Sequence, residues 1–222
     1  MFGQKSITGV IDLKDICLIG ITGNRYSGKS LCGLFLRKKG IPVVDLDDMY
    51  LEMAGPGNIL HKKLILSLGG SVMDKYGNID LAKLSLMICN ERWVELLIDD
   101  IMSECMNNVV CNMADYFISK KYGFVAMESI ALIGNSIENK FSQMIIVTSK
   151  HNEMKKRMLA ASLTEKASNA MLKKYVLDGL GFKNKKSYHI LSNNKTPDDF
   201  KKSTLEALDI IYEEETNKRK KR

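Results

Sequence analysis

Residues 23–30 carry the clearest chemical pattern in this 222-residue sequence. They read GNRYSGKS and match the spacing G-x-x-x-x-G-K-[ST] at every fixed position. Glycines at the two fixed places let backbone N–H groups curl around phosphate oxygens, because no Cβ atom stands in the way. Lys29 can then reach the β- and γ-phosphates of a nucleotide, and the Ser30 hydroxyl can ligate Mg²⁺. The spacing predicts a nucleotide-phosphate loop rather than an incidental glycine-rich turn.

The segments that flank this loop are the ones that such a loop requires. Residues 16–21 are continuously apolar, which is typical of a strand buried on both faces of a parallel sheet. Residues 29–39 carry apolar side chains at helical spacing, and Gly40 and Pro42 follow them as helix-ending residues. A helix that begins at the loop turns its positive N-terminal end toward bound phosphate. The predicted nucleotide-binding residues are Gly23, Asn24, Tyr26, Ser27, Gly28, Lys29, Ser30 and Leu31.

Carboxylates follow the second and third predicted strands. Asp45, Asp47 and Asp48 end or follow the strand at 42–45, and ligands of open α/β sheets bind outside the carboxyl ends of the strands. A carboxylate beside a phosphate loop can accept the proton of an attacking hydroxyl or hold Mg²⁺. The alternative is helix capping, and Asp48 is the expected cap. Asp47 is therefore the predicted functional carboxylate, while Glu128 is either a water-mediated Mg²⁺ contact or a plain strand-end residue.

The rest of the chain predicts an α/β fold. Further strands are predicted at 124–127, 144–147 and 188–191, and further helices at 58–68, 80–89, 91–119, 150–160, 166–180 and 197–216. A strand, a helix and a second strand in succession form the unit of a parallel sheet with a right-handed crossover. The prediction is about five parallel strands with helices on both faces and a helical insertion after the second strand.

Charge and cysteine usage limit the class of protein further. The net charge is +7, but residues 218–222 are all basic, which leaves 28 of the 33 Lys and Arg against 26 Asp and Glu. We therefore expect a solvated, charged tail at 213–222, where 218–222 is the only candidate for nucleic-acid contact. Five cysteines without paired spacing and three separated histidines argue against a disulfide framework or a zinc site. With no apolar run of membrane-spanning length, we expect a cytoplasmic protein that contacts no membrane.

The order of these motifs resembles the dephospho-CoA kinase family. After the phosphate loop, residues 44–47 read Val-Asp-Leu-Asp and are followed by Pro56-Gly57, as in the family's hydrophobic-Asp-x-Asp pattern with a later Pro-Gly. Residues 77–80 and 189–194 resemble two further stretches of the family, and Arg157 follows the fourth strand at the family's spacing. The resemblance runs from about residue 16 to 212, and its specific parts are the phosphate loop and the Asp pair.

This resemblance implies a P-loop kinase fold that transfers the γ-phosphoryl of ATP to the ribose 3′-hydroxyl of dephospho-CoA, with Mg²⁺ as cofactor. It implies catalytic roles for Asp47 as general base and for Lys29, nucleotide binding by Arg157, and substrate binding by Asp45 and Asp80. The implied organisation is a single domain with a nucleotide-binding core at 16–50 and 121–212, a helical substrate-binding insertion at 51–120 and a lid at 158–187.

Departures from the family pattern fall on the acceptor and lid side. Leu51, Leu81 and Ala161 stand where the pattern has arginines, and the Pro-Leu-Leu-x-Glu stretch reads Ile-Ala-Leu-Ile-Gly at 130–134. Lysines replace the lid arginines, and a lysine cannot reproduce a bidentate arginine clamp on phosphate. Two alternatives therefore stay open: a nucleoside or nucleotide kinase, or a diverged nucleotide-binding homologue that serves as a structural or RNA-associated subunit. The lid lysines are Lys173, Lys174, Lys183, Lys185 and Lys186.

Overall fold

The computed structural model describes residues 16–130, 132–133, 136–174 and 188–221. The strands are β1 (Cys17–Gly23), β2 (Val43–Asp45), β3 (Phe124–Glu128), β4 (Gln143–Thr148) and β5 (Tyr188–Ser192). The helices are α1 (Lys29–Lys38), α2 (Leu46–Ala54), α3 (Ile59–Leu68), α4 (Leu81–Asn90), α5 (Arg92–Ser119), α6 (His151–Ala160), α7 (Glu165–Lys174) and α8 (Pro197–Lys220). Short 3₁₀ turns lie at Gly70–Val72 and Ser136–Lys140.

The five strands form one parallel sheet in the order β2-β3-β1-β4-β5. Every residue of the central strand β1 is buried, in agreement with the continuous apolar run that predicted it. The register pairs Asp45 of β2 with Glu128 of β3, and Glu128 also pairs with Ile21 of β1. The last residues of β2 and β3 therefore lie side by side, level with a β1 residue two positions before the phosphate loop begins.

Helices cover both faces of the sheet, as predicted. On one face, α1 and α8 pack against β1 through a cluster that includes Phe35, Leu36, Phe200 and Ile211. On the other face, α2 and α5 pack against alternate residues of the same strands. Alternation along β1 accounts for this division, because successive strand side chains point to opposite faces. The phosphate loop is thus attached to a strand that is fixed from both sides.

Helices α2 to α5 build the part of the chain between β2 and β3. Their own apolar cluster includes Leu60, Leu64, Ile101 and Cys105. The 28-residue helix α5 contributes to this cluster with its first half and to the sheet core with its second half, for example through Met106. A single continuous helix therefore joins the region at 51–120 to the sheet.

The last helix extends further than predicted. It was expected over 197–216 and continues through Lys220, so residues 217–220 of the expected charged tail are helical, with exposed side chains. Lys218 there pairs with Glu215, and Arg219 donates to the Gly123 carbonyl and lies over the Phe124 ring. Of the expected lid at 158–187, residues 175–187 lie outside the described residues. No helix in the described part of the chain is long and apolar enough to span a bilayer.

Candidate active site

The phosphate loop connects β1 to α1, and both of its motif glycines are required by close approach. Gly23 has φ 151°, and a Cβ atom there would lie 2.2 Å from the Val147 carbonyl oxygen. Gly28 has φ 110°, and a Cβ atom there would lie 2.2 Å from Nδ2 of Asn193. Both positions combine a backbone conformation that favours glycine with space for a hydrogen only. The loop therefore lies tightly against the ends of β4 and β5.

Arg157 and Asn193 hold the loop in that position. Arg157 Nη1 donates to the carbonyl oxygens of Tyr26 and Ser27, both at 3.0 Å, and its Nη2 donates to the Asn193 carbonyl at 2.7 Å. The buried Asn193 side chain in turn donates to the Ser27 carbonyl at 2.8 Å. Arg157 lines the cavity, as a nucleotide-binding residue would, but its described hydrogen bonds are donated to these protein carbonyls and, at 3.3 Å, to the Ser149 hydroxyl. The structure thus gives this arginine a role in shaping the loop.

Lys29 and Ser30 follow the loop at the start of α1. Lys29 Nζ lies 3.4 Å from the Asn24 carbonyl oxygen. Burial lowers the pKa of Lys29 below its usual value, and the nearby carboxylates of Asp47 and Glu128 oppose that shift. The Ser30 hydroxyl donates to Oε1 of Glu128 at 2.9 Å. The Lys29 ammonium group therefore lies near the carboxylates of Asp45, Asp47 and Glu128, at the place where the loop is expected to bind nucleotide phosphates.

One carboxylate oxygen of Glu128 accepts no hydrogen bond from the described residues. The residue is 4% exposed, and among the described residues its buried Oε2 has no hydrogen-bond partner. Burial raises the pKa of Glu128; the Ser30 hydroxyl opposes this shift, and the adjacent Asp45 carboxylate adds to it. A carboxylate pair with a hydroxyl beside it is the hard-oxygen donor set that Mg²⁺ prefers. These residues fit the cation that the phosphate-loop motif implies.

The aspartate that caps helix α2 is Asp45 and not Asp48, the residue predicted from the sequence. The cap of α2 is Asp45, whose Oδ1 accepts from the backbone N–H groups of Asp47 at 2.9 Å and Asp48 at 3.2 Å. The prediction of Asp48 as the cap is therefore wrong, because the helix begins one turn earlier, at Leu46. Asp47 is free of capping and projects from the first turn of α2.

Both carboxylate oxygens of Asp47 are hydrogen-bonded to the residues after β3. The Ser129 hydroxyl donates to Oδ1 at 2.5 Å, and the backbone N–H of Ile130 donates to Oδ2 at 3.3 Å. Neither Ser129 nor Ile130 belongs to the motifs that predict the site, which comprise the phosphate loop and the aspartates. Asn193 lies in the family-like stretch at 189–194, for which the sequence predicts no site role.

A cavity of about 560 Å³ brings these groups together. Asp80, by contrast, caps α4 by accepting from the N–H groups of Ala82 and Lys83, and it is not among the residues of the cavity wall. Gly23, Asn24 and Ser27 are buried parts of the loop. The wall is formed by Arg25, Tyr26, Gly28, Lys29, Ser30, Leu31, Asp45, Asp47, Asp48, Glu128, Ile130, Arg157 and Asn193.

Comparison with known proteins agrees with this site. A family described as dephospho-CoA kinase matches residues 17–198. A dephospho-CoA kinase of Shouchella clausii is 22% identical over 191 residues, which are 86% of this chain and 96% of the relative. One from Listeria monocytogenes is 24% identical over 179 residues, covering 80% of this chain and 88% of the relative.

A solved structure has the same fold. The dephospho-CoA kinase from Campylobacter jejuni superposes with a TM-score of 0.58 at 17% identity, covering 87% of this chain and 96% of that one. The family match over residues 17–198 includes all five strands and the phosphate loop. This chain belongs to the dephospho-CoA kinase family, a family of phosphotransferases.

Proposed function

We propose that this protein transfers the γ-phosphoryl group of ATP to the ribose 3′-hydroxyl of dephospho-CoA, which yields coenzyme A and ADP. The observation that carries the proposal is the meeting of Lys29, Ser30 and Asp47 at one cavity beside the phosphate loop. Family membership supports dephospho-CoA as the acceptor. We expect the reaction in the cytoplasm, where ATP is supplied.

In the proposed reaction, Asp47 accepts the proton of the acceptor hydroxyl. The acceptor oxygen forms a bond to the γ-phosphorus, and the bond from that phosphorus to the bridging oxygen breaks, so that ADP leaves with the electron pair. Lys29 offsets the charge on the transferring group, because this chemistry depends mainly on positioning and electrostatics. Mg²⁺, which Ser30 and Glu128 would hold, neutralises phosphate charge when bound.

The region at 51–120 is the proposed acceptor site, with the lid at 158–187 closing over the nucleotide. Helix α2 supports this assignment, because it carries Asp47 at its first turn and leads directly into α3. Asp45 would then act by fixing the start of α2, and Asp80 by fixing the start of α4. A closed lid would exclude water, which otherwise accepts the phosphoryl group.

An acceptor panel tests the function. Purified protein with ATP and Mg²⁺ is given dephospho-CoA, nucleosides or nucleoside monophosphates, and ADP release and the phosphorylated product are measured. We expect turnover with dephospho-CoA and a loss of roughly 10²-fold or more in Asp47→Asn, with the KM for ATP nearly unchanged. The exposed Glu52 on the same helix offers a control, as Glu52→Gln should retain activity. Turnover only with a nucleoside or a monophosphate would overturn the acceptor assignment.

A further inference from the structure

The two residues that follow β3 hold the Asp47 carboxylate from one side. Ser129 is 1% exposed, and its hydroxyl lies 2.5 Å from Oδ1. The backbone N–H of Ile130 lies 3.3 Å from Oδ2. Within the described part of the chain, each carboxylate oxygen therefore accepts from a donor, and the two donors belong to consecutive residues.

Backbone contacts fix both partners of this arrangement. The N–H of Ser129 donates to the Ile21 carbonyl at 3.1 Å, which extends the pairing of β3 with β1 by one residue. Asp47 lies in the first turn of α2, whose start is fixed by the Asp45 cap. Because neither side needs to move to form the contact, the carboxylate is held before substrate binds.

We propose that Ser129 and the Ile130 N–H are positioning groups that orient the Asp47 carboxylate toward the acceptor hydroxyl. A hydrogen bond donated to each carboxylate oxygen fixes the plane of the group and leaves the remaining lone pairs for the proton of the acceptor. This inference rests on the proposed function, since it assigns the orientation of the proposed base.

Ile130 makes its contribution because it is not proline. The family pattern aligned above has a proline at this position, and a proline has no backbone N–H to donate. A donor to Oδ2 therefore exists in this chain through one of its departures from the pattern. The loss of the usual residue here adds a contact to the site.

The first test compares Ser129→Ala with Ser129→Thr in initial-rate kinetics with ATP and dephospho-CoA varied in turn. Removing the hydroxyl should lower kcat several-fold and leave the KM for ATP near the wild-type value, because the carboxylate loses one of the groups that orient it. Threonine keeps the hydroxyl and should restore most of kcat. The folded fraction of each variant is measured by circular dichroism under the assay conditions, and rates are expressed per folded enzyme. A wild-type kcat for the alanine variant would overturn the proposal.

The second test compares Ile130→Pro with Ile130→Val. Proline should lower kcat several-fold without raising the KM for ATP, whereas valine retains the N–H and should keep the wild-type kcat. If Ile130→Pro fails to fold, the comparison of Ser129→Ala with Ser129→Thr decides whether the inference holds. Wild-type enzyme without turnover of dephospho-CoA would remove the proposed function. Full turnover of Asp47→Asn with dephospho-CoA would remove the base role of Asp47, and this inference with it, while the acceptor assignment stands. If Asp47→Asn loses turnover while Ser129→Ala and Ile130→Pro match wild type, only this inference fails.

Discussion

The phosphate-loop side and the helical region at 51–120 differ in how their residues are held. Around the loop, Gly23 and Gly28 leave space for no side-chain carbon, and Arg157 donates to the loop carbonyls. In the helical region, Leu66 and Leu81 are 86% and 71% exposed. A short motif specifies the first region because backbone contacts define it. The second depends on packing among helices, where many sequences serve equally well.

The helical region nevertheless has one buried polar connection. His61 of α3 is 8% exposed; its Nδ1 accepts from the Gly57 N–H at 3.2 Å, which leaves Nε2 to donate to the Gly77 carbonyl at 2.7 Å. The imidazole thus joins the Pro56-Gly57 turn to the turn before α4. These two turns contain the family-like stretches at 56–57 and 77–80. The His61 side chain therefore fixes the distance between the two turns.

The largest expected effect is on the phosphate-loop side. Lys29→Ala should reduce phosphoryl transfer by roughly 10³-fold or more, because it removes the ammonium group beside the transferring phosphate. Steady-state ADP release measures the loss. Lys38→Ala changes an exposed lysine of the same helix and should retain wild-type rates. A Lys29→Ala enzyme within tenfold of wild type would show that the loop is not the catalytic phosphate site.

Arg157→Lys should raise the KM for ATP about tenfold, with a smaller effect on the KM for dephospho-CoA. A lysine cannot donate at once to the carbonyls of Tyr26, Ser27 and Asn193 from a planar group, so the loop loses its fixed shape. Initial-rate kinetics with each substrate varied in turn make the measurement. The exposed Lys156 is the control position, as Lys156→Ala. Equal increases in both KM values would contradict a role confined to the phosphate loop.

His61→Ala should act on the other region. We expect a several-fold rise in the KM for dephospho-CoA, an unchanged KM for ATP and a loss of roughly 1–3 kcal/mol of stability, since buried polar groups at Gly57 and Gly77 lose their partner. Substrate kinetics and thermal unfolding measure the two effects, with the exposed neighbour changed as Lys62→Ala for comparison. An altered KM for ATP alone would remove the distinction between the two regions.

The smallest expected effect is a gain in stability at the boundary between the regions. The pKa of Glu128 is raised, chiefly by burial, so its contribution to folding is full at acidic pH and is lost as pH rises through that pKa. Glu128→Gln does not titrate and should exceed wild type in Tm by about 2–4 °C at pH 8, equivalent to ~1 kcal/mol for a chain of this size. The difference should disappear near pH 4.

Thermal unfolding without nucleotide, with and without added Mg²⁺, checks this expectation. Mg²⁺ should raise the Tm of wild type and leave Glu128→Gln unchanged, while turnover of the variant falls. A Tm difference that is independent of pH would show that the buried carboxylate does not carry the effect.

Prediction from sequence succeeded where a pattern is local. The buried strand β1, the loop after it and helix α1 follow from consecutive residues, and the parallel sheet with helices on both faces follows from the order of such segments. The cap of α2 was misassigned, because Asp45, Asp47 and Asp48 are equally suitable by residue type and only the first turn of the helix decides among them. The end of α8 was predicted four residues too early, at 216, since charge alone does not show that Arg219 reaches Gly123 and Phe124.

The sequence by itself determined that a phosphate loop lies between a strand and a helix, because both the loop chemistry and its flanking elements depend on residues within about twenty positions of each other. Tertiary structure alone decided which groups act on that chemistry. Ser129 lies 82 residues from Asp47, and Arg157 lies 131 residues from Tyr26. The strand order β2-β3-β1-β4-β5 brings these distant residues to the same edge of the sheet, and no spacing along the chain encodes that order directly.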